Sequence, residues 1–515
     1  MKLLQLLEGV DVVSRSGAVE VFQNEITGLE YDSRRVEKGN LFVAMRGETT
    51  DGNAYVEAAI ARGAVAIVSD SSQSSAAGIP WVQVSHGRRA LATLSANFYG
   101  HPAEKLKLTG VTGTNGKTTT TFLLAQLLNL AGRGEVALIG TVEYHYAGVV
   151  VPAPHTTPEP LELQRIFLKA TDPRLGKLKA AEAVMEVSSH ALAQERVYGL
   201  HYDVAVFTNL TRDHLDYHKT MESYYAAKQM LFTGCGAPPP RVAVINSDDD
   251  AGRKLIATSR SAGSEVLTYG LTSGDFHAAE IVFTREGTSF RLHTSAKTLS
   301  VQSQLVGRVN VYNLVSAIAA AHARGLDLET LASAAPRCQS APGRFQRVDS
   351  GQPFTVIVDY AHTDDALRNL IAVAREFVSG QKHPGRVITL FGCGGDRDKT
   401  KRPLMAAAAG EGSDFVVLTS DNPRSEDPMS IISDALPGLE KTSADFEVEP
   451  ERREAIRLAI SKARAGDIVL IAGKGHEKFQ ITRAGKAPFD DVEVAREALQ
   501  AAGFSPSLEA AGKTK

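Results

Sequence analysis

The chain has 515 residues, 43% hydrophobic and 22% charged, an ordinary globular balance with length for roughly three or four domains. A formal net charge of −3 excludes a global basic field for nucleic acid, and three widely spaced cysteines exclude a disulfide framework or a paired-cysteine zinc site, pointing to a reducing cytoplasm. No run of about 18 apolar residues is present, so no membrane span is expected; residues 1–17 read as an amphipathic helix and not as a signal peptide.

In chain order, residues 1–105 read as a small α/β unit. Buried strands are expected at 41–45 and 64–68, with a helix at 55–62 closed by Gly63 and a small polar loop at 71–78. Residues 106–340 form a second unit, with strands at 107–112, 183–187, 204–208 and 241–245, and helices at 118–130 and 317–324. Strands alternating with helices imply a mostly parallel sheet. Residues 341–515 form a third, Rossmann-like α/β unit with strands at 355–359, 386–391, 414–419 and 468–472. Gly-rich turns follow two of them, and a frayed tail is expected from about Pro506. There is no internal repeat.

The sharpest local signal is GVTGTNGKTTT, beginning at Gly110, between an expected strand and an expected helix. That is the context of a phosphate loop: glycines let the backbone wrap an anion, and N–H groups at the helix start bind it. Gly113, Thr114, Asn115, Gly116, Lys117, Thr118 and Thr119 are the candidate nucleotide contacts, with Lys117 on the β/γ-phosphates and the Thr118 hydroxyl on Mg²⁺. Val111 occupies the place of the usual first glycine. The loop alone does not choose among hydrolases, kinases and ligases.

The variant TGTNGKTT resembles the hallmark of the Mur ligase family of cell-wall enzymes, and a similar loop occurs in folylpolyglutamate synthetases. Further motifs stand in family order: EVSSH from Glu186, TNLTRDHLDYH from Thr208, Ala227-Lys228, Gly343-Arg344, DYAH from Asp359 and GCGGDRD from Gly392. The resemblance covers nearly the whole chain. It implies three domains that bind a UDP-substrate, ATP and an incoming amino acid in that order, the central one being P-loop NTPase-like. ATP phosphorylates a carboxylate, an amine attacks the acyl phosphate, and Mg²⁺ neutralises charge in the transfer. By the same resemblance Glu186 and His214 are candidate Mg²⁺ ligands, and Lys228 matches a carbamylated lysine that helps to hold the metal. Asn313, Arg344 and Asp359 align with nucleotide contacts. Taken singly, each is also an ordinary strand-end, cap or helix residue.

For the first substrate, the resemblance implies Tyr31 and Ser33 on the UDP-sugar, followed by the loop Glu48-Thr49-Thr50. His155, Thr156, Thr157, Ser188, Gln194 and Arg196 fall on the muramoyl-peptide. Arg196 could pair with a substrate carboxylate or form a surface salt bridge. For the amino acid, the tetrapeptide Asp421-Asn422-Pro423-Arg424 marks diaminopimelate addition in the family, joined by Arg397, Gly473 and Glu477. A guanidinium can grip the distal carboxylate of diaminopimelate bidentately and would repel the ammonium of lysine. Alone, the tetrapeptide is a turn with a solvated Arg. Asp364 replaces the usual Pro after His362-Thr363. The implied activity is addition of meso-diaminopimelate to UDP-N-acetylmuramoyl-L-alanyl-D-glutamate by a cytoplasmic monomer. A lysine-adding ligase, a folylpolyglutamate synthetase and a non-catalytic nucleotide-binding module remain as alternatives.

Overall fold

The computed structural model describes residues 1–17, 22–48, 50–72, 79–176, 178–284, 287–379 and 384–505. Thr49, most of the expected polar loop at 71–78 and the tail expected to fray from about Pro506 lie outside the described residues. Two compact units emerge. The first comprises Met1–His277, His293–Lys297 and Asn313–Ala334; the second comprises Ala278–Leu292, Thr298–Tyr312 and Ala335–Lys515.

The first unit opens with α1 (Leu3–Leu6), a single turn. The amphipathic helix expected over residues 1–17 stops there because Gly9 takes φ +72° and the chain continues as strand β1 (Val12–Ser16). With β2 (Gly28–Glu30), β3 (Asn40–Ala44), β4 (Ala66–Ser69) and β5 (Trp81–Val84) it forms a sheet of order β1-β5-β4-β3-β2. Every residue of β3 and β4 is buried, as in a parallel sheet covered on both faces. The two-residue period sends Leu41 and Val43 toward Leu91 and Leu94 of α3 (Gly87–Tyr99). Phe42 and Ala44 go toward Val56 and Ala59 of α2 (Val56–Ala61).

The next sheet of this unit holds β6 (Lys107–Thr112), β7 (Val136–Ile139), β8 (Glu143–Tyr146), β9 (Val149–Pro152), β10 (Glu182–Glu186), β11 (Val204–Phe207), β12 (Val242–Asn246) and β13 (Glu265–Gly270). The order is β13-β12-β11-β6-β10-β7-β8-β9, parallel except for the β7-β8-β9 meander. The β8-β9 hairpin, absent from the sequence reading, turns at Ala147 and Gly148, both at positive φ, the geometry a two-residue hairpin loop requires. Its helices are α4 (Lys117–Leu128), α5 (Pro160–Thr171), α6 (Ser189–Ala193), α7 (Leu215–His218), α8 (Met221–Thr233), α9 (Asp250–Ser261), the part of α10 (Arg308–Ala323) from Asn313 onward, and α11 (Leu328–Ala334). β6 sits between β10 and β11, so the loops after these three strands share one edge of the sheet, where ligands of open parallel sheets bind.

Most of β14 (Phe276–Thr284) and β15 (Gly287–Thr294), with β16 (Thr298–Ser303), belongs to the second unit. Its main sheet comprises β17 (Gln346–Val348), β18 (Thr355–Asp359), β19 (Val387–Cys393), β20 (Phe415–Ser420), β21 (Asp445–Val448) and β22 (Ile468–Ala472), ordered β17-β18-β22-β19-β20-β21. Only β17 runs antiparallel. Helices α12 (Asp364–Ser379), α13 (Lys401–Gly412) and α14 (Pro428–Leu439) cover one face, and α15 (Arg452–Lys462) and α16 (Asp491–Ala501) the other. A hairpin of β23 (Phe479–Thr482) and β24 (Gly485–Pro488) follows β22. Asp364 begins α12 with a second acid beside it, favourable at the positive end of a helix dipole. Among the described residues no helix is long and apolar enough to cross a membrane.

Candidate active site

β6 runs into a turn held from the segment after β11. Thr114 N donates to Asn209 O at 2.8 Å, Asn115 N to Asn209 Oδ1 at 2.9 Å, and Thr208 Oγ1 to Asn115 O at 2.6 Å. Gly113 has φ +148°; a Cβ there would overlap Thr208 Oγ1 and reach within 3.0 Å of Asn209 N. Gly116 has φ +87°, and a Cβ would collide with Asn313 Oδ1. Asn313 is thereby placed against the loop. Lys117 opens α4 and turns back, its Nζ donating to the carbonyls of Gly113 and Thr114, each at 2.7 Å. Thr118 and Thr119 are buried in the same first turn, and Val111 is interior to β6. A glycine turn leading into a helix start directs N–H groups at an anion.

Glu186 ends β10, fully buried. Its carboxylate accepts from Thr141 N at 2.7 Å and Thr141 Oγ1 at 3.0 Å and forms no ion pair among the described residues. Lys228, on α8, is 1% exposed; its Nζ donates to Gly113 O at 2.7 Å and lies 4.5 Å from the Tyr224 ring centre. Burial, reinforced by the Lys117 charge, pushes its amine well below the ordinary lysine range. His214, at φ +53° before α7, is exposed, with its ring 4.7 Å from that of His190. Burial of part of the ring, together with His190, Lys117 and Lys228, lowers its pKa against the opposing pull of Asp213. His218 Nε2 meets Ser189 Oγ at 2.9 Å, and burial, with His190, Lys228 and His214 close by, lowers its pKa to about 4. Among the described residues no three His, Cys, Asp or Glu side chains are grouped to hold a metal ion, so the expected set of Thr118, Glu186, His214 and Lys228 is a mixed one.

The muramoyl-peptide candidates converge beside Glu186. Thr157 Oγ1 donates to Glu186 O at 2.8 Å and accepts from Ser188 N at 3.1 Å, while Ser188 Oγ caps α6. Thr156 Oγ1 lies 3.1 Å from Thr141 Oγ1, and the exposed His155 accepts from the Tyr144 hydroxyl through its carbonyl. Arg196 Nε bonds Gln194 Oε1 at 2.8 Å and Glu159 at 3.1 Å, so the guanidinium has an internal carboxylate partner. Partial burial opposes ionisation of Glu48, yet hydrogen bonds from Tyr217 and Gln194 hold its carboxyl below the usual range. Tyr31 donates to Glu162 Oε2 at 3.2 Å, and Ser33 is buried at the head of a single 3-10 turn.

In the second unit, Asp359 ends β18 and accepts from Phe345 N at 2.6 Å and Ala361 N at 2.8 Å; burial raises its carboxyl pKa despite the Arg344 charge. The Arg344 guanidinium lies 4.8 Å from the Tyr360 ring centre. After β20, Asp421, Asn422 and Pro423 are buried and Arg424 takes φ +53°. Its Nη1 donates to Gly395 O at 2.6 Å and its N–H to Ile481 O at 3.0 Å, so the side chain is tethered and not simply solvated. Gly394 borders both Arg424 and Arg397. Asn422 Nδ2 donates to Glu477 Oε2 at 2.9 Å, and Gly473, at φ +117°, turns the chain out of β22 toward them. Arg402 on α13 is 1% exposed and binds Glu426 Oε1 at 2.7 Å and Asp434 Oδ2 at 2.8 Å, bracing the loop that carries Arg424.

Several of these residues escaped the sequence reading. Thr141 and Arg402 had no role in it, and Thr208 and Asn209 were motif letters without a function. Each acts on a neighbour distant in sequence, and a single sequence carries no signal of such pairing.

A phosphate loop at the carboxyl end of a central parallel strand, with a buried carboxylate and a buried lysine beside it, defines a P-loop nucleotide-binding α/β protein. Three family models match the chain: "Mur ligase family, catalytic domain" over residues 25–99, "Mur ligase middle domain" over 111–321 and "Mur ligase, glutamate ligase domain" over 343–475. The chain belongs to the Mur ligase family. It is 52% identical to the UDP-N-acetylmuramoyl-L-alanyl-D-glutamate--2,6-diaminopimelate ligase of Solibacter usitatus (strain Ellin6076), over 98% of this chain and 99% of that one. It is 47% identical to the ligase of the same name from Geobacillus thermodenitrificans (strain NG80-2), over 92% and 95%. A solved structure of a ligase of that name superposes with TM-score 0.70 at 34% identity, covering 98% of this chain and all of that one. MurF ligase from Thermotoga maritima in complex with ADP, 19% identical with TM-score 0.60 and coverage of 94% and 99%, shares the fold.

Proposed function

We propose that the chain is a cytoplasmic, ATP-dependent ligase that joins meso-2,6-diaminopimelate to UDP-N-acetylmuramoyl-L-alanyl-D-glutamate in peptidoglycan precursor synthesis. The observation that carries the reading is the tethered Arg424, in a loop cluster that also holds Arg397, Asn422 and Glu477, within a chain 52% identical from end to end to a ligase of that name. Residues 1–105 are assigned to the UDP-substrate, 106–340 to ATP and 341–515 to the amino acid, acting as a monomer.

The residues present fit Mg²⁺. Glu186 is a fully buried carboxylate with no counter-cation among the described residues, an arrangement that a hard cation satisfies. Thr118, Glu186, His214 and a carbamylated Lys228 would hold it. Lys228 suits carbamylation because burial lowers its amine pKa and so favours the neutral, nucleophilic form that carbon dioxide requires. The ion supplies charge neutralisation for phosphoryl transfer when bound.

The chain's own groups do the rest. The loop from Gly113 to Thr119 and Asn313 cradle the triphosphate, with Lys117 exchanging its loop carbonyls for phosphate oxygens. Arg344 and Asp359 are assigned to the nucleotide by the family resemblance alone. Tyr31 and Ser33 take the UDP-sugar; His155, Thr156, Thr157, Ser188, Gln194 and Arg196 orient the peptide carboxylate that becomes an acyl phosphate. Arg397, Asp421, Asn422, Pro423, Arg424, Gly473 and Glu477 form the diaminopimelate pocket, in which Arg424 takes the distal carboxylate and Glu477 the distal ammonium.

The test is phosphate release by purified protein with each substrate omitted in turn, and mass measurement of the product. Release that requires ATP, the UDP-dipeptide and diaminopimelate together, with an amide-linked UDP-tripeptide formed, is expected. Release indifferent to the UDP-dipeptide and amino acid, with no product, would overturn the reading.

A further inference from the structure

Lys474 lies within the amino-acid pocket yet is itself 0% exposed, so it has no surface to offer a ligand. Its Nζ donates to Asn422 Oδ1 at 3.0 Å and Glu477 Oε2 at 3.2 Å, and stands 3.6 Å from Asp421 Oδ1. Asp421 Oδ1 is buried with no hydrogen-bond partner, so its compensation is ionic: the Lys474 ammonium and, through the field, the buried Arg452 guanidinium.

The geometry at Asn422 is restrictive. Its Oδ1 accepts from Lys474 Nζ and from Ile481 N, the latter at 2.9 Å. Both neighbours are obligate donors, so a flipped amide would set an NH₂ group against two donors. The amide is locked with Nδ2 toward Glu477 Oε2. Glu477 therefore receives two donors on Oε2, and its Oε1 makes no hydrogen bond among the described residues. Gly473, at φ +117°, is the bend that returns Lys474 beneath these groups.

We infer that Lys474 is a positioning and specificity-determining residue for the incoming amino acid. It locks the Asn422 amide and the Glu477 carboxylate in one orientation, and its charge offsets Asp421 and Glu477. The pocket then presents one carboxylate oxygen that has no hydrogen-bond partner among the described residues to an amino acid whose far end is a zwitterion, with Arg424 anchored two residues after the locked Asn422. The inference rests on the diaminopimelate reading above.

The experiment compares wild type, Lys474→Met and Lys474→Arg by steady-state kinetics with each of the three substrates varied, alongside thermal unfolding. For Lys474→Met, KM for meso-diaminopimelate should rise about tenfold or more while KM for ATP and for the UDP-dipeptide stay within about twofold. Lys474→Arg keeps the charge but not the geometry, and should show a smaller rise confined to the same substrate. Adding Asp421→Asn to Lys474→Met should recover part of any lost thermal stability by removing the uncompensated carboxylate, without restoring the diaminopimelate KM. An unchanged diaminopimelate KM, or an equal rise for all three substrates as a merely structural role would give, overturns the inference. If Lys474→Met does not fold, Lys474→Arg decides by the same criteria. Failure of the wild type to use diaminopimelate would instead strike the functional reading itself.

Discussion

Replacing Gly113 by alanine puts a methyl group where the phosphate loop has no room. The new Cβ would overlap Thr208 Oγ1 and lie 3.0 Å from Asn209 N and 3.1 Å from Asn209 O, two of these three being backbone atoms that cannot swing aside. The residue would also have to hold φ +148°, a conformation that costs an L-residue about 1–3 kcal/mol. Moving Thr208 away breaks its 2.6 Å bond to Asn115 O, worth about 0.5–1.5 kcal/mol. The sum is about 1.5–4.5 kcal/mol, borne by the loop that receives the phosphates. At tenfold per 1.4 kcal/mol, it corresponds to about 10- to 1,600-fold weaker productive ATP binding, or to an equivalent loss of stability if the loop holds and the fold yields. ATP dependence of phosphate release and urea unfolding together capture both routes. Adding Thr208→Ala removes the overlapping oxygen, so the double variant should lose less than the sum of the singles. Wild-type ATP dependence and stability in Gly113→Ala, or strictly additive losses in the double variant, would refute the steric argument.

Lys228→Ala should abolish turnover, with partial recovery on adding short carboxylates and a carbon dioxide requirement in the wild type; full unrescued activity would remove the carbamate from the mechanism. His218 is a base whose folded pKa is lowered to about 4, so the folded state binds fewer protons than the unfolded chain. The stability it permits is complete above about pH 6.5 and is lost as pH falls toward 4, a loss on the order of 2–3 kcal/mol. Urea unfolding at pH 7 and pH 5 should show this decline, and His218→Gln should flatten it. Arg452 and Asp491 form a fully buried pair at 2.7 Å, so Arg452→Met should cost about 3–5 kcal/mol in urea unfolding by stranding the carboxylate. Adding Asp491→Leu should restore part of it.

The parallel strands were readable because continuous apolar runs such as Val204–Phe207 and Ile468–Ala472 are buried on both faces and end at glycine or polar residues. The phosphate loop was readable because its glycines answer a backbone need that any chain making this turn shares. What stayed hidden depends on pairing across the chain. Residues 1–17 carry apolar spacing that suits a helix, but pairing of residues 12–16 with β5 overrides that local preference. The β8-β9 hairpin has its turn at Ala147-Gly148, a weaker signal than Asn-Gly, and one strand in which Val149 and Val150 are exposed. At the candidate site, residues proposed to touch ligand were singled out through the family resemblance, whereas those that brace them, Thr141 behind Glu186, Thr208 behind Asn115, and Lys474 behind Asn422, lie 45, 93 and 52 positions away. Arg424 shows the limit most clearly: the tetrapeptide could be read, but not its tether to Gly395 O.

The most direct test of the central claim is amino-acid-dependent phosphate release with ATP, Mg²⁺ and UDP-N-acetylmuramoyl-L-alanyl-D-glutamate, comparing meso-diaminopimelate with L-lysine in wild type and Arg424→Ala. The account predicts strong preference for diaminopimelate in the wild type, collapsing in the variant because the guanidinium that grips the distal carboxylate is gone. Preference for lysine, or an Arg424→Ala variant that still selects diaminopimelate, would contradict it.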